Sequence, residues 1–177
     1  TGCYTLASGE TNTTVDAGLY QGAAIGDRVW EDKNANGQQD AGENGIAGAT
    51  VRLYTCVNNA PGVLVATTTT NASGNYAFTG LMPGDYIVEF VTPGGMVQTT
   101  ANVGADGSDS DAGMGGLTGC YTLPSGTTNN TVDAGFYAPA AIGDRVWLDA
   151  NANGQQDAGE AGVAGVAVAD IVVGGIQ

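Results

Sequence analysis

Ile25–Tyr54 reads IGDRVWEDKNANGQQDAGENGIAGATVRLY, and its middle third, Asp32–Glu43, holds oxygen-bearing side chains at a fixed spacing. Counted as a twelve-residue loop, Asp32, Asn34, Asn36, Asp40 and Glu43 fall at positions 1, 3, 5, 9 and 12. Gly37 sits at the sharp-turn position 6, and the Gln38 carbonyl at position 7. A hard cation that takes six to eight oxygens needs this alternation, because every second side chain turns inward as the backbone curls. The flanks decide the rest. Ile25–Trp30 alternates apolar and polar residues, and Ala49, Val51 and Leu53 share one face of a second extended run, so the loop joins strands, not helices. Trp30 reads as a core anchor. With asparagine at positions 3 and 5, an affinity in the extracellular range of roughly 10⁻⁴ to 10⁻³ M is expected, a structural clamp rather than a helix-opening sensor.

The same loop recurs. Residues 1–51 return at 118–168 with about a quarter of positions changed, so Asp149, Asn151, Asn153, Gln155, Asp157 and Glu160 repeat the ligand pattern around Gly154. An offset of 117 residues is the size of a domain. The chain therefore divides into the end of one repeat (1–23), a complete repeat (24–137) and the start of a third (138–177). Residues 1–20 are expected to supply closing strands, and 163–177 one or two strands whose open edges invite strand exchange with another chain.

Thirty glycines and 12% charged residues point to many turns and little amphipathic helix. Past the loop, turn clusters at 58–62, 71–74 and 81–84 separate extended runs at 63–70, 75–78 and 85–90, the cadence of a β-sandwich. Eighteen acids against four bases, without histidine, leave a formal charge of −14, which argues against a nucleic-acid partner and for divalent cations. A second acidic cluster, Asp106, Asp109 and Asp111, lies in a glycine-rich loop where the carboxylates would repel one another without a cation between them, and is expected to form a further calcium site. No apolar run reaches the roughly 18 residues that span a bilayer.

Three motifs in order, IGDRVWEDKNANGQQDAGENGIAGATVRLY, TTTTNASGNYAFTGLMPGDYIVEF and TVDAGFY, resemble the calcium-binding B-type repeats of bacterial serine-aspartate repeat surface proteins. That group is similar to the prealbumin-like sandwiches of collagen-adhesin B repeats. The resemblance implies an all-β, Greek-key-like prealbumin or immunoglobulin-type sandwich in tandem, stabilised by several calcium ions. It implies use as an extracellular stalk or filament component, with neighbouring repeats or copies of itself as partners. By position it carries Asp32, Asn34, Asn36, Gln38, Asp40 and Glu43 as the primary site and Asp106, Asp109 and Asp111 as a further acidic loop. Some related domains hold a Lys–Asn isopeptide bond; here the one lysine, Lys33, lies in the calcium loop, where the second copy has Ala150.

By the repeat, Cys3 and Cys120 are equivalent. The simplest pairing joins Cys56 to Cys120, with a Cys3–Cys56 or an interchain bridge as alternatives. No nucleophile–base pair and no phosphate-cradling loop points to an enzyme. The rival reading is an adhesin module for a host or matrix ligand, which needs exposed aromatics. Trp30, Tyr54, Tyr76, Phe78, Tyr86 and Phe90 instead follow core periodicity.

Overall fold

The computed structural model describes residues 2–167. It separates into two units, Thr1–Pro139 and Ala140–Gln177. In the first, nine strands are described: β1 Ala23–Glu31, β2 Thr50–Val57, β3 Ala60–Thr69, β4 Asn75–Leu81, β5 Gly84–Phe90, β6 Val97–Gln98, β7 Tyr121–Leu123, β8 Thr128–Asn129 and β9 Ala134–Tyr137. The expected sandwich is present: one sheet runs β4-β1-β9-β6 with β8 beside β1, and the other runs β3-β2-β5-β7.

The inward residues follow the two-residue period of the strands. Val51 and Leu53 from β2, Tyr86, Val88 and Phe90 from β5, and Tyr76 and Phe78 from β4 meet Ile25, Val29 and Phe136 in one core. Tyr76 stands edge-on to Phe90, ring centroids 5.5 Å apart, and its hydroxyl donates to the Val132 carbonyl at 2.8 Å. Trp30 is fully buried, as its place in the alternation predicts. Ile87, on the face of β5 opposite Val88, is buried as well.

β1 is the strand that organises the first sheet. It pairs antiparallel with β4, and in parallel with β8 (Ala24 with Thr128) and β9 (Val29 with Ala134, Glu31 with Phe136). Because β1 opens the unit and β9 closes it in the same direction, the chain enters at one end of the sandwich and leaves at the other. The disulfide forms between Cys56 and Cys120, Cα atoms 5.9 Å apart, and Cys3 is free and exposed.

Three expectations change. Residues 2–20 form no strand, because the sheet that their counterparts join through β9 has no equivalent around them. β3 begins at Ala60, taking Pro61 and Gly62 into the strand; Pro61 is tolerated because β3 is an edge. In the second unit, the repeat of β1 is likewise not a strand: Ile142 is 98% exposed where Ile25 is fully buried. The strands expected over 163–177 are not formed at 163–167, and the remainder of that expectation, strand exchange included, lies outside the described residues.

Candidate metal centre

β1 delivers Asp32 into the loop directly after Glu31, where the Asp32 amide donates to the Phe136 carbonyl of β9 at 2.9 Å. The loop then closes on its own side chains. Asp32 Oδ1 accepts from the Asn36 amide at 3.2 Å and Oδ2 from the Gly37 amide at 2.8 Å. Asn34 Oδ1 accepts from the Asn36 amide, and Asn36 Oδ1 from the Gln38 amide. Both asparagine Nδ2 groups donate to Asp40 Oδ2, at 2.9 and 2.8 Å. Glu43 closes the ring, accepting from the Lys33 and Asp40 amides. Gly37 adopts φ 83°, and a Cβ there would lie 2.5 Å from the Thr100 carbonyl, so both conformation and space select glycine.

The second acidic segment packs against the first. Gln38 and Asp109 form a β-bridge, Gln39 donates to Ser108, and the Ser110 amide donates to the Gly37 carbonyl at 3.2 Å. Of the three expected ligands, Asp109 and Asp111 are buried and Asp106 is exposed. Two further acids, absent from the sequence reading, join them. Asp133, in TVDAGFY, is fully buried; its Oδ1 accepts from the Arg28 amide at 2.9 Å and its Oδ2 has no partner. Its own amide donates to Asp111 Oδ2 at 2.7 Å. Asp27 lies near Asp133, and burial raises its carboxyl above the ordinary aspartate value. The available sequence signal is a carboxylate inside a strand pattern, repeated as Asp16 and Asp144.

Burial, reinforced by Asp27, Asp111 and Asp109, pushes the Asp133 carboxyl up to about 8, and burial raises Asp111 to about 6. Both push against charge that no cation offsets. Among the described residues the one ion pair is Arg52–Glu89 at 3.1 Å; Arg28 donates instead to the Glu43 and Ser73 carbonyls, and Lys33 to the Gly42 carbonyl. Among the described residues, no three His, Cys, Asp or Glu side chains converge tightly enough to form a metal cluster by themselves. The donor set of the first loop is of a different kind, since asparagine oxygens and a backbone carbonyl make up half of it.

In the second unit, Asp149, Asn151, Asn153, Gln155, Asp157 and Glu160 repeat all eight of these internal hydrogen bonds. Asn151 and Asn153 hold the Asp157 carboxyl below the usual aspartate range.

The SdrD B-like domain family matches residues 23–136, the whole complete unit, and again residues 140–171. This chain belongs to that family. The serine-aspartate repeat-containing protein F of Staphylococcus epidermidis is 44% identical over 161 residues, which are 89% of this chain and 9% of that protein. The serine-aspartate repeat-containing protein C of Staphylococcus aureus strain Newman is 42% identical over 168 residues, 93% of this chain and 16% of that protein. The chain thus spans a sixth or less of these curated relatives' length. Among solved structures, the minor pilin GBS52 of Streptococcus agalactiae is similar at 16% identity and a TM-score of 0.43, over 72% of this chain and 50% of that one. The SdrD B-like chain is an extracellular, cell-surface repeat of the structural or adhesin-stalk kind, from a family of surface proteins rather than known enzymes. Five of the six aromatics an adhesin groove would need are in the core, and Tyr54 is half-buried.

Proposed function

We propose that this repeat is a non-catalytic surface stalk or filament element whose rigidity depends on bound calcium. One observation carries the reading: Asp32, Glu43, Asp109, Asp111 and Asp133 are buried without a cationic partner. Buried carboxylates are costly unless paired or metal-bound, and calcium is abundant outside cells. In the first loop Asp32, Asn34, Asn36, Asp40, Glu43 and the Gln38 carbonyl would hold one ion. Asp109 and Asp111, with Asp133 and the exposed Asp106, would contribute to a second, toward which the unpartnered Asp133 Oδ2 is the available oxygen. Bound calcium supplies charge neutralisation. The chain's own residues then fix the end of β1 to β9, since Asp32 is hydrogen-bonded both to its loop and to Phe136. A unit that is entered at one end and left at the other is suited to a stalk. Differential scanning calorimetry in calcium and in EDTA tests the reading: a large loss of melting temperature on chelation is expected, and identical melting curves overturn it.

A further inference from the structure

Of the four basic residues, Arg28 and Arg145 hold the same place in the repeat, 15 residues before the acid at loop position 12. In a chain with 18 acids, neither forms an ion pair among the described residues. Each turns instead to a backbone carbonyl of that acid: Arg28 Nη2 donates to the Glu43 carbonyl at 2.9 Å, and Arg145 Nη2 to the Glu160 carbonyl at 2.7 Å. Arg28 also donates through Nε to the Ser73 carbonyl at 3.3 Å, whereas Arg145 makes the loop bond alone among the described residues. Arg28 is half-buried within β1, and Arg145 is exposed and outside any strand. The bond therefore belongs to the local sequence of the repeat and forms without the sandwich. It completes a grip on the acid from both ends. The Glu43 carboxylate accepts from the Lys33 and Asp40 amides at 2.8 and 2.9 Å, and the Glu160 carboxylate from the Ala150 and Asp157 amides at 2.9 and 3.1 Å.

We propose that Arg28 and Arg145 are positioning residues for Glu43 and Glu160, each guanidinium fixing the backbone from which the position-12 carboxylate reaches across its loop. The inference rests on the calcium reading of these loops. Position 12 is where one side chain gives a calcium ion two oxygens, so its placement matters more than that of any single-oxygen ligand. Two effects oppose. The positive charge repels an arriving cation, but at half-buried and exposed sites water and salt screen that repulsion. The orientation of the ligand is not screened, and groups that orient metal ligands commonly govern affinity tenfold or more. The hold therefore wins.

The Gly37 and Gly154 amides donate to the position-1 carboxylates Asp32 and Asp149, both at 2.8 Å, so their NMR signals report the two loops separately in the full chain. In a calcium chloride titration, Arg145→Met should weaken binding at Gly154 about tenfold, with the Gly37 curve and the melting of the complete unit unchanged. Arg145→Lys, which keeps the charge and one donor, should bind like the parent. Arg28→Met should weaken binding at Gly37, and Arg28→Lys should fall between, because an ammonium lacks the fork that reaches Glu43 and Ser73 together. In EDTA, Arg145→Met should speed hydrogen exchange at the Ala150 and Asp157 amides, which donate to Glu160. Equal or tighter binding by Arg145→Met overturns the proposal and leaves the calcium reading intact; binding by Arg145→Lys as weak as that of Arg145→Met does the same. If neither glycine of the parent responds to calcium, the calcium reading fails, and unchanged exchange in EDTA then overturns the arginine hold as well.

Discussion

The loops at Asp32–Glu43 and Asp149–Glu160 have nearly the same sequence and the same eight internal hydrogen bonds, yet Asp32 and Glu43 at the ends of the first are buried against a sandwich while Asp149 and Glu160 are not. Asp32 is fully buried and also accepts from the Thr99 hydroxyl at 2.5 Å, while its loop is bridged to the Asp109 segment. Asp149 is half-exposed, and no such outside bond reaches it among the described residues. The loop's shape is therefore written in its own twelve residues. Burial of its end carboxylates comes from the sandwich.

Breaking the sandwich while sparing the loop should have the largest effect. Cys56→Ser with Cys120→Ser opens a closure of 64 residues and should cost the complete unit about 4 kcal/mol in urea unfolding. Chelation acts next. On the proposed calcium reading, one site filled at about 100 times Kd would contribute about 2.7 kcal/mol, or about 10 °C in a unit of this size, and Asp32→Asn should remove that increment. Asp149→Asn should leave the melting of the complete unit unchanged, as calorimetry of both variants would show.

A smaller effect follows from the raised acids, and its sign can be worked out. A carboxyl whose folded pKa lies above its unfolded 3.8 favours the fold at low pH, and that advantage is lost as pH rises toward the folded value. In EDTA the complete unit should thus lose roughly 1 to 2 kcal/mol between about pH 5.5 and about pH 7, through Asp111 near 6 and Asp133 near 8. Asp133→Asn should flatten that slope in denaturation curves. The smallest change expected is Thr99→Val, about 1 kcal/mol for one hydrogen bond, confined to the complete unit.

These contrasts explain what was legible in the sequence. The loop residues could be read because their spacing sets their conformation locally, and the strands because Tyr86, Val88 and Phe90 keep a two-residue period. Asp27 and Asp133 were hidden: each sits in an ordinary strand pattern, and only the pairing of β1 with β9 brings them together. The strand expected at 1–20 failed for the complementary reason. Its counterpart β9 owes its conformation to β1 and β6, which flank it.

The parallel placement of β1 and β9 has a mechanical consequence. Tension applied through the two ends of the complete unit pulls Val29–Glu31 and Ala134–Phe136 past one another lengthwise, so their hydrogen bonds are loaded together instead of opening one after another. The Cys56–Cys120 bond lies off that line of force. While it is intact, the segment it encloses, which includes β3 to β6, cannot be drawn out. A torn unit would lengthen by only the residues outside it, because β3 to β6 stay within the closed loop.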